Sequence, residues 1–294
     1  MSPSGILLVD KPGGMTSHDV VARTRKALDT RKVGHAGTLD PMATGLLLLG
    51  VGSSTRLLTY LVGLGKRYAG TIRLGVATDT DDAEGETTAT ADASGVTRAA
   101  IETAIGGLTG ELSQVPSSYS AVKVDGRRSY DRARAGEEVV LEPRTVTVSR
   151  FDVLDERRDE TTIDLDVIVE CTSGTYVRAL ARDLGRALGV GGHLTALRRE
   201  AIGPFEVQDA VALDALEVAA LRPPASIAGQ LFPTATLDEV QATDLTHGKR
   251  VPLAIADAPV VAAVTADGRL AGLVSVTDGS AKVLVNFPSD EVLA

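Results

Sequence analysis

The stretch Gly34-His35-Ala36-Gly37-Thr38-Leu39-Asp40-Pro41-Met42-Ala43-Thr44-Gly45 sets three glycines and a proline among small residues. Glycine permits positive φ and close approach of another molecule to the backbone. The stretch therefore reads as neither a packed helix nor a plain strand. Asp40 stands before Pro41, which biases it toward an extended conformation. The apolar run Leu46-Leu47-Leu48-Leu49 follows and has to be buried. A carboxylate on an irregular loop, anchored by a core segment, is a common way to hold a catalytic group. The same residues also suit an ordinary turn whose carboxylate accepts from a backbone N–H.

Upstream of the loop, Ile6 to Asp10 reads as a buried strand, and Lys11-Pro12-Gly13-Gly14-Met15 turns the chain. Thr16 as N-cap with Asp19 three residues on predicts a helix start. Val20, Val21, Thr24, Ala27 and Leu28 then fit one helical face. Arg23, Arg25, Lys26, Arg31 and Lys32 lie on the other face or just beyond. Lys11 in a Gly-rich turn invites a phosphate-loop reading, but the G-x-x-x-x-G-K-[ST] pattern is absent. His35 has no second histidine at metal-ligand spacing, which argues against zinc.

Downstream, Lys66-Arg67-Tyr68 leads into a strand running to Leu74. A tyrosine beside two cations fits the stacking-plus-charge pattern of single-stranded RNA sites, although tyrosine is also a common strand residue. Asp79 to Glu86 resembles a calcium loop but has Ala83 where an oxygen ligand is needed, and its glycine is one place late. It reads as a solvated acidic loop. Residues 97–108 predict a short helix. Leu165, Val167, Val169 and Cys171 alternate with Asp164, Asp166, Ile168 and Glu170, a strand with one buried face that makes Cys171 a core thiol. Ser173-Gly174-Thr175-Tyr176-Val177-Arg178 ends that strand. Val177, Leu180, Ala181, Leu184, Ala187 and Leu188 mark a helical face, with Gly189 in the C′ position. The pattern breaks from Arg222 to Pro233, which reads as a linker. Asp267-Gly268 and Asp278-Gly279 between apolar runs are hairpin signals.

The chain has 294 residues, one cysteine, no tryptophan and 3% aromatic residues. Its core must rest on Val, Leu, Ile and Ala, and an intramolecular disulfide or a cysteine metal cluster is excluded. No basic-then-apolar leader opens the sequence, and no uncharged apolar run reaches about 18 residues, so the expectation is a soluble cytoplasmic protein. The net charge of −9 argues at face value against a nucleic-acid partner. Its distribution does not. Residues 1–70 carry nine Lys/Arg against four Asp/Glu, and residues 173–203 five against two. Residues 204–294 carry five against twelve. Screening beyond roughly 8–10 Å makes local patches count for more than the sum.

Gly37-Thr38-Leu39-Asp40-Pro41-Met42-Ala43-Thr44-Gly45 resembles the G-x-L-D-x-x-A-x-G signature of pseudouridine synthases. With Gly34-His35 in front, it resembles the bacterial TruB-type branch that modifies the T-loop uridine of tRNA. The S-G-T-Y-[IV]-R block at Ser173–Arg178 and Gly191-Gly192-His193-Leu194-Thr195-Ala196-Leu197 fit the same family, in family order. The resemblance implies an α+β fold: a catalytic domain over 1–222 around a mixed, largely antiparallel sheet, with an RNA-gripping insertion near 116–148 that carries Arg127, Arg128, Arg132 and Arg134. A small PUA-like β domain over 236–294 would end the chain.

What the resemblance implies about chemistry is specific. Asp40 is the catalytic nucleophile, and Tyr68 and Arg178 are catalytic beside it, with Arg178 pairing to the catalytic aspartate. Tyr68 and Tyr176 stand against the uracil, Leu197 lines the base pocket, His35 wedges into the RNA loop, and Lys11 supports the active-site loop. Isomerising uridine needs no redox step and no group donor, so no cofactor and no metal are expected. The expected partner is the T-arm of tRNA, with no membrane, no obligatory protein partner and a monomeric chain. Three other readings stand beside this one: a non-catalytic RNA-folding protein of the same fold, a hydrolase that releases free base, and a guide-RNA-dependent relative.

Overall fold

A computed structural model describes residues 3–119, 123–124, 127–128, 141–287 and 292–293. The chain divides into two compact units, one of Met1–Pro41, Gly45–Val62 and Pro204–Ala294, the other of Met42–Thr44 and Gly63–Gly203. Of the expected insertion, residues 120–122, 125–126 and 129–140 lie outside the described residues, Arg132 and Arg134 among them, as do the side chains of Arg127 and Arg128.

In the first unit the strand Pro3–Lys11 pairs antiparallel with Thr44–Val51, register Gly5 to Val51 and Lys11 to Gly45. The short strand Val33–Ala36 pairs with the other edge of Thr44–Val51, setting His35 opposite Leu49. The four-leucine run is fully buried, as its composition required. The helix Ser17–Ala27 begins at the expected capping box. The Thr16 hydroxyl accepts from the Asp19 N–H (3.1 Å), and the Asp19 carboxylate accepts from the Thr16 N–H (2.8 Å). The Thr16 hydroxyl also donates to that carboxylate at 2.7 Å, and this bond, followed by the one from the Thr16 N–H, holds the Asp19 carboxyl below its ordinary range. Val20, Val21, Thr24 and Leu28 are buried, but Ala27 is exposed, because the apolar stripe is narrower than the sequence period suggested.

The C-terminal stretch of this unit carries a five-stranded sheet in the order Thr234–Leu237, Ala258–Thr265, Leu270–Thr277, Ser280–Asn286, Val251–Pro252. Leu237, Leu245, Val261, Val274 and Val276 belong to its own buried cluster. Both hairpin signals hold. At the second, Asp278 (φ 51°) and Gly279 (φ 68°) are both left-handed, as a two-residue type I′ turn requires. The segment expected as a linker is more ordered than its sequence suggested. It holds the helix Pro224–Gly229, in which Ile227 and Ala228 are buried, and Arg222 exchanges two backbone hydrogen bonds with Ile6.

Five strands of the second unit pair antiparallel in the order Gly192–Ile202, Lys66–Leu74, Ile163–Cys171, Arg144–Arg158, Gly110–Gln114, and the short strands Val76–Thr78 and Thr87–Thr90 pair apart from them. Ile163–Cys171 alternates as read, and burial pushes the Cys171 thiol up to about 11. The helix Val177–Ala187 buries Val177, Leu180, Ala181 and Leu184, while Ala187 is exposed, so this stripe too ends a turn early. Gly189 has φ 74° and closes the helix. The Gly185 carbonyl accepts from Val190 and Gly191. A Cβ on Gly185 would lie 2.1 Å from the Gly191 carbonyl carbon and 2.2 Å from the Gly192 nitrogen. Backbone cannot yield as a flexible side chain can, so Gly185→Ala is expected to cost about 3 kcal/mol of stability. A urea midpoint unchanged by the substitution would show that helix and strand can separate without loss.

Candidate active site

In the first unit the residues flanking Asp40 are held on both sides. The Ser17 hydroxyl accepts from the Leu39 N–H at 2.8 Å and donates to the Leu39 carbonyl at 3.2 Å. On the other side, the Pro41 carbonyl accepts from the Gly14 N–H at 2.9 Å and from Lys11 Nζ at 3.3 Å. Lys11 is fully buried and also donates to the carbonyls of Pro12 (3.0 Å) and Met15 (2.7 Å). A buried ammonium costs free energy unless its donors are satisfied. Three carbonyls meet that requirement and tie the turn after the first strand to the Asp40 loop. Sequence reasoning missed Ser17, whose only signal was its place immediately after the N-cap.

Asp40 itself is partly exposed, as is His35. The His35 ring meets that of His18 edge-on, with centroids 5.4 Å apart. The cations expected on the first helix, Arg23, Arg25 and Lys26, are exposed, as are Arg31 and Lys32. Arg25 also donates to the Val33 carbonyl, which closes the helix onto the next strand.

In the second unit Tyr68 sits on the strand Lys66–Leu74, opposite Val169 on one side and Arg199 on the other. Leu197 is opposite Gly70. Tyr68 and Leu197 are each 8% exposed. The cation pair beside Tyr68 is not an open charged surface. Lys66 is buried, donates to the Leu64 carbonyl, and has its pKa pushed down to about 8 by burial and then by Arg199. Arg67 projects to the opposite face of the strand and pairs with Glu200 at 3.2 Å. The strand's period of two separates the two cations.

Tyr176 precedes the helix Val177–Ala187, and its backbone is clamped by one side chain. The Gln114 amide donates to the Tyr176 carbonyl (3.1 Å) and accepts from the Tyr176 N–H (2.9 Å). Gln114 is 4% exposed. Nothing in the sequence marked it, because its partner lies 62 residues away.

Arg178 is buried and not the surface ion pair its sequence context also allowed. It pairs with Asp82 at 3.3 Å, with side-chain exposures of 5% and 4%. Its guanidinium further donates to the carbonyls of Thr80 (2.8 Å) and Tyr119 (2.8 Å) and to the Ser117 hydroxyl (3.4 Å). Asp82 accepts in turn from the Thr80 hydroxyl (2.6 Å) and the Glu84 N–H (3.0 Å). The acidic loop is therefore not uniformly solvated as expected. Asp81 and Asp82 are buried, while Asp79 accepts from the Glu86 N–H and the Tyr119 hydroxyl. The reason is tertiary: two arginines of the helix Val177–Ala187 reach into the loop. Gly85 is where a Cβ would lie 2.3 Å from the Thr80 hydroxyl.

Among the described residues, no group of three or more His, Cys, Asp or Glu side chains is placed to hold a metal ion, and no helix is long and apolar enough to cross a membrane. The two units thus carry a carboxylate on a pinned loop and, on a separate scaffold, a buried tyrosine and a buried arginine–aspartate pair. A carboxylate held on a pinned loop suits nucleophilic chemistry.

Comparison with known proteins agrees with that chemistry. Residues 25–177 match the N-terminal domain of the TruB family pseudouridylate synthases, and residues 178–240 and 232–288 match two TruB C-terminal domains. The tRNA pseudouridine synthase B of Leifsonia xyli is 58% identical, covering 99% of each chain. That of an Arthrobacter species is 52% identical, covering 98% of each. Among solved structures, the archaeal box H/ACA Nop10–Cbf5 complex contains a chain 25% identical with a TM-score of 0.71, covering 98% of this chain and 88% of that one. The pinned aspartate loop, the buried arginine and the length of these matches together place the chain in the TruB family of pseudouridylate synthases.

Proposed function

We propose that this protein converts the T-loop uridine of tRNA, position 55, to pseudouridine. The observation that carries the reading is the Asp40 loop, whose signature residues fit the family and whose backbone is pinned at both Leu39 and Pro41. A nucleophile held this way loses little orientational freedom before reaction. In the reaction the N1–C1′ bond breaks, the uracil turns, C5 bonds to C1′, the C5 proton leaves to solvent and N1 takes up a proton in its place. Asp40 is the nucleophile, and its bond to the nucleoside breaks again before the product leaves.

Flipping the uridine out of the folded RNA costs a few kcal/mol. One aromatic contact returns about 1–3 kcal/mol. Tyr68 alone therefore barely balances the cost, and His35 filling the vacated space, with phosphate contacts from Arg23, Lys26 and Lys32, supplies the rest. Leu197 and Tyr176 shape the base pocket, Lys11 supports the loop, and Arg178 supplies fixed positive charge. Residues 1–222 act as the catalytic part and 236–294 as a PUA-like accessory domain. The chain works as a monomer in the cytoplasm, on tRNA alone.

Tritium release from C5-labelled uridine in a bare tRNA transcript, with the purified chain and no added RNA or protein, tests this directly. Stoichiometric release is expected. Binding without release would favour an RNA-folding protein, and free uracil would favour a hydrolase. Tyr68 is further assigned the relay of the C5 proton. Tyr68→Phe is then expected to lower turnover by about 10²-fold, the lower end for acid–base groups, while keeping tRNA affinity. Full turnover in Tyr68→Phe would end the relay assignment.

A further inference from the structure

We propose that Arg182 and Asp81 form a positioning pair for Arg178, serving the chemical step and not the grip on RNA. The inference rests on the reading of Arg178 as an active-site group. Arg178 and Arg182 are four residues apart on the helix Val177–Ala187 and so share one face. Two consecutive carboxylates meet the two arginines, Arg178 pairing with Asp82 and Arg182 with Asp81, both at 3.3 Å, and Arg182 is shared with Asp183 of its own helix at 3.1 Å. Consecutive residues in an extended chain point to opposite sides. Asp81 escapes this because its backbone is left-handed, with φ 61°. Aspartate tolerates that conformation better than most residues, though not without cost. The Asp81 carbonyl accepts from the Leu194 N–H at 3.1 Å, which fixes the turn.

The two arginines make a second parallel set of contacts. Arg178 donates to the Tyr119 carbonyl and Arg182 to the Val115 carbonyl, each at 2.8 Å. Asp81 and Asp82 on one side, and Val115–Tyr119 on the other, are thus held by a ladder of two guanidinium rungs. Ser117 lies between the sides, accepting from Arg178 and donating to the Thr80 carbonyl at 3.2 Å.

The electrostatic consequence is specific. The Asp81 side chain is 11% exposed and lies next in sequence to a carboxylate only 4% exposed. Burial pushes the Asp81 carboxyl up; Arg182, then a Ser117 hydrogen bond, then Arg178 pull it back, and Asp183 pushes it up slightly again. Asp81 therefore already feels the field of Arg178. Remove Arg182, and Arg178 faces two buried carboxylates with one guanidinium. Its alignment on Asp82, Thr80 and Tyr119 is then contested. Arg182 neutralises Asp81 so that Arg178 serves Asp82 alone of the pair.

The test is a cycle in the full chain on a tRNA transcript: Arg182→Gln, Asp81→Asn, the double variant and Arg182→Lys. Single-turnover rate and tRNA Kd are measured for each. Arg182→Gln is expected to lower the rate about tenfold, the scale of a modest misplacement, with Kd within about twofold. Arg182→Lys, which keeps the charge, recovers most of the rate. The decisive arm is the double variant. Neutralising Asp81 removes the competing carboxylate, so Arg182→Gln with Asp81→Asn is expected to be faster than Arg182→Gln alone. A contact that only supports folding would leave the single-turnover rate of the folded protein unchanged in both variants. The pair is overturned if Arg182→Gln stays within twofold of wild type, if its loss appears in Kd alone, or if the double variant is no faster. Should Arg182→Gln fail to fold, the inference stands only if the double variant folds and turns over within a few-fold of Asp81→Asn. An inactive wild-type chain would instead overturn the isomerase reading.

Discussion

Asp40→Asn is expected to lower the single-turnover rate of pseudouridine formation by about 10⁴-fold or more, the scale on which losing one catalytic side chain is felt. The substitution keeps size and hydrogen-bonding shape but removes the nucleophilic charge. Affinity for tRNA is expected to stay within about twofold, because binding a polyanion gains nothing from a carboxylate. Stability is also expected to hold. The loop's geometry is fixed by Ser17 on Leu39 and by Lys11 and Gly14 on Pro41, so the backbone does not depend on the Asp40 charge. Rate, affinity and urea midpoint measured on one preparation separate these effects. A variant that keeps even a tenth of the wild-type rate would remove Asp40 from the role of nucleophile. A variant that loses affinity and rate together would make it a binding residue.

Asp82→Ala is expected to cost about 3–5 kcal/mol of stability, the penalty for stranding one member of a buried ion pair. Arg178 would be left buried without the Asp82 charge, and the Thr80 hydroxyl and Glu84 N–H would lose their partner as well. Asp82→Asn keeps an oxygen acceptor and is expected to cost less. The contrast is Asp152→Ala, which removes a closer contact, Arg150 to Asp152 at 2.6 Å. Both of those side chains are about half exposed, so the loss there is expected to be within about 1 kcal/mol. Burial, and not distance, decides which pair matters. Urea unfolding of the three variants at unchanged slope checks this. Equal losses for Asp82→Ala and Asp152→Ala would mean that the Arg178 pair carries no special share of stability. Because Arg178 is aligned partly by Asp82, Asp82→Asn is also expected to lose turnover out of proportion to its effect on folding.

Asp82 was not legible as a functional residue. Its sequence neighbourhood, Asp79-Thr80-Asp81-Asp82-Ala83-Glu84, is that of a solvated acidic turn. Only the arrival of Arg178, 96 positions later, makes it a buried partner. Lys66 misled for a related reason: in sequence it is a cation beside a tyrosine, and in the fold it is buried. Gln114 and Ser17 belong to the same class, polar residues whose value lies in clamping another segment's backbone.

What the amino-acid sequence determined by itself is local, or carried by a motif. The Thr16–Asp19 capping box, the alternation of Ile163–Cys171, the two Asp-Gly hairpins and the buried leucines after Asp40 follow from patterns within a few residues. The family signature around Asp40 belongs here too. The tertiary structure alone decided which charges are buried, which helical faces stop short and which carboxylate meets which arginine. Those are properties of pairs of segments far apart in the chain. Burial of a charge depends on what packs over it, and no local pattern encodes that.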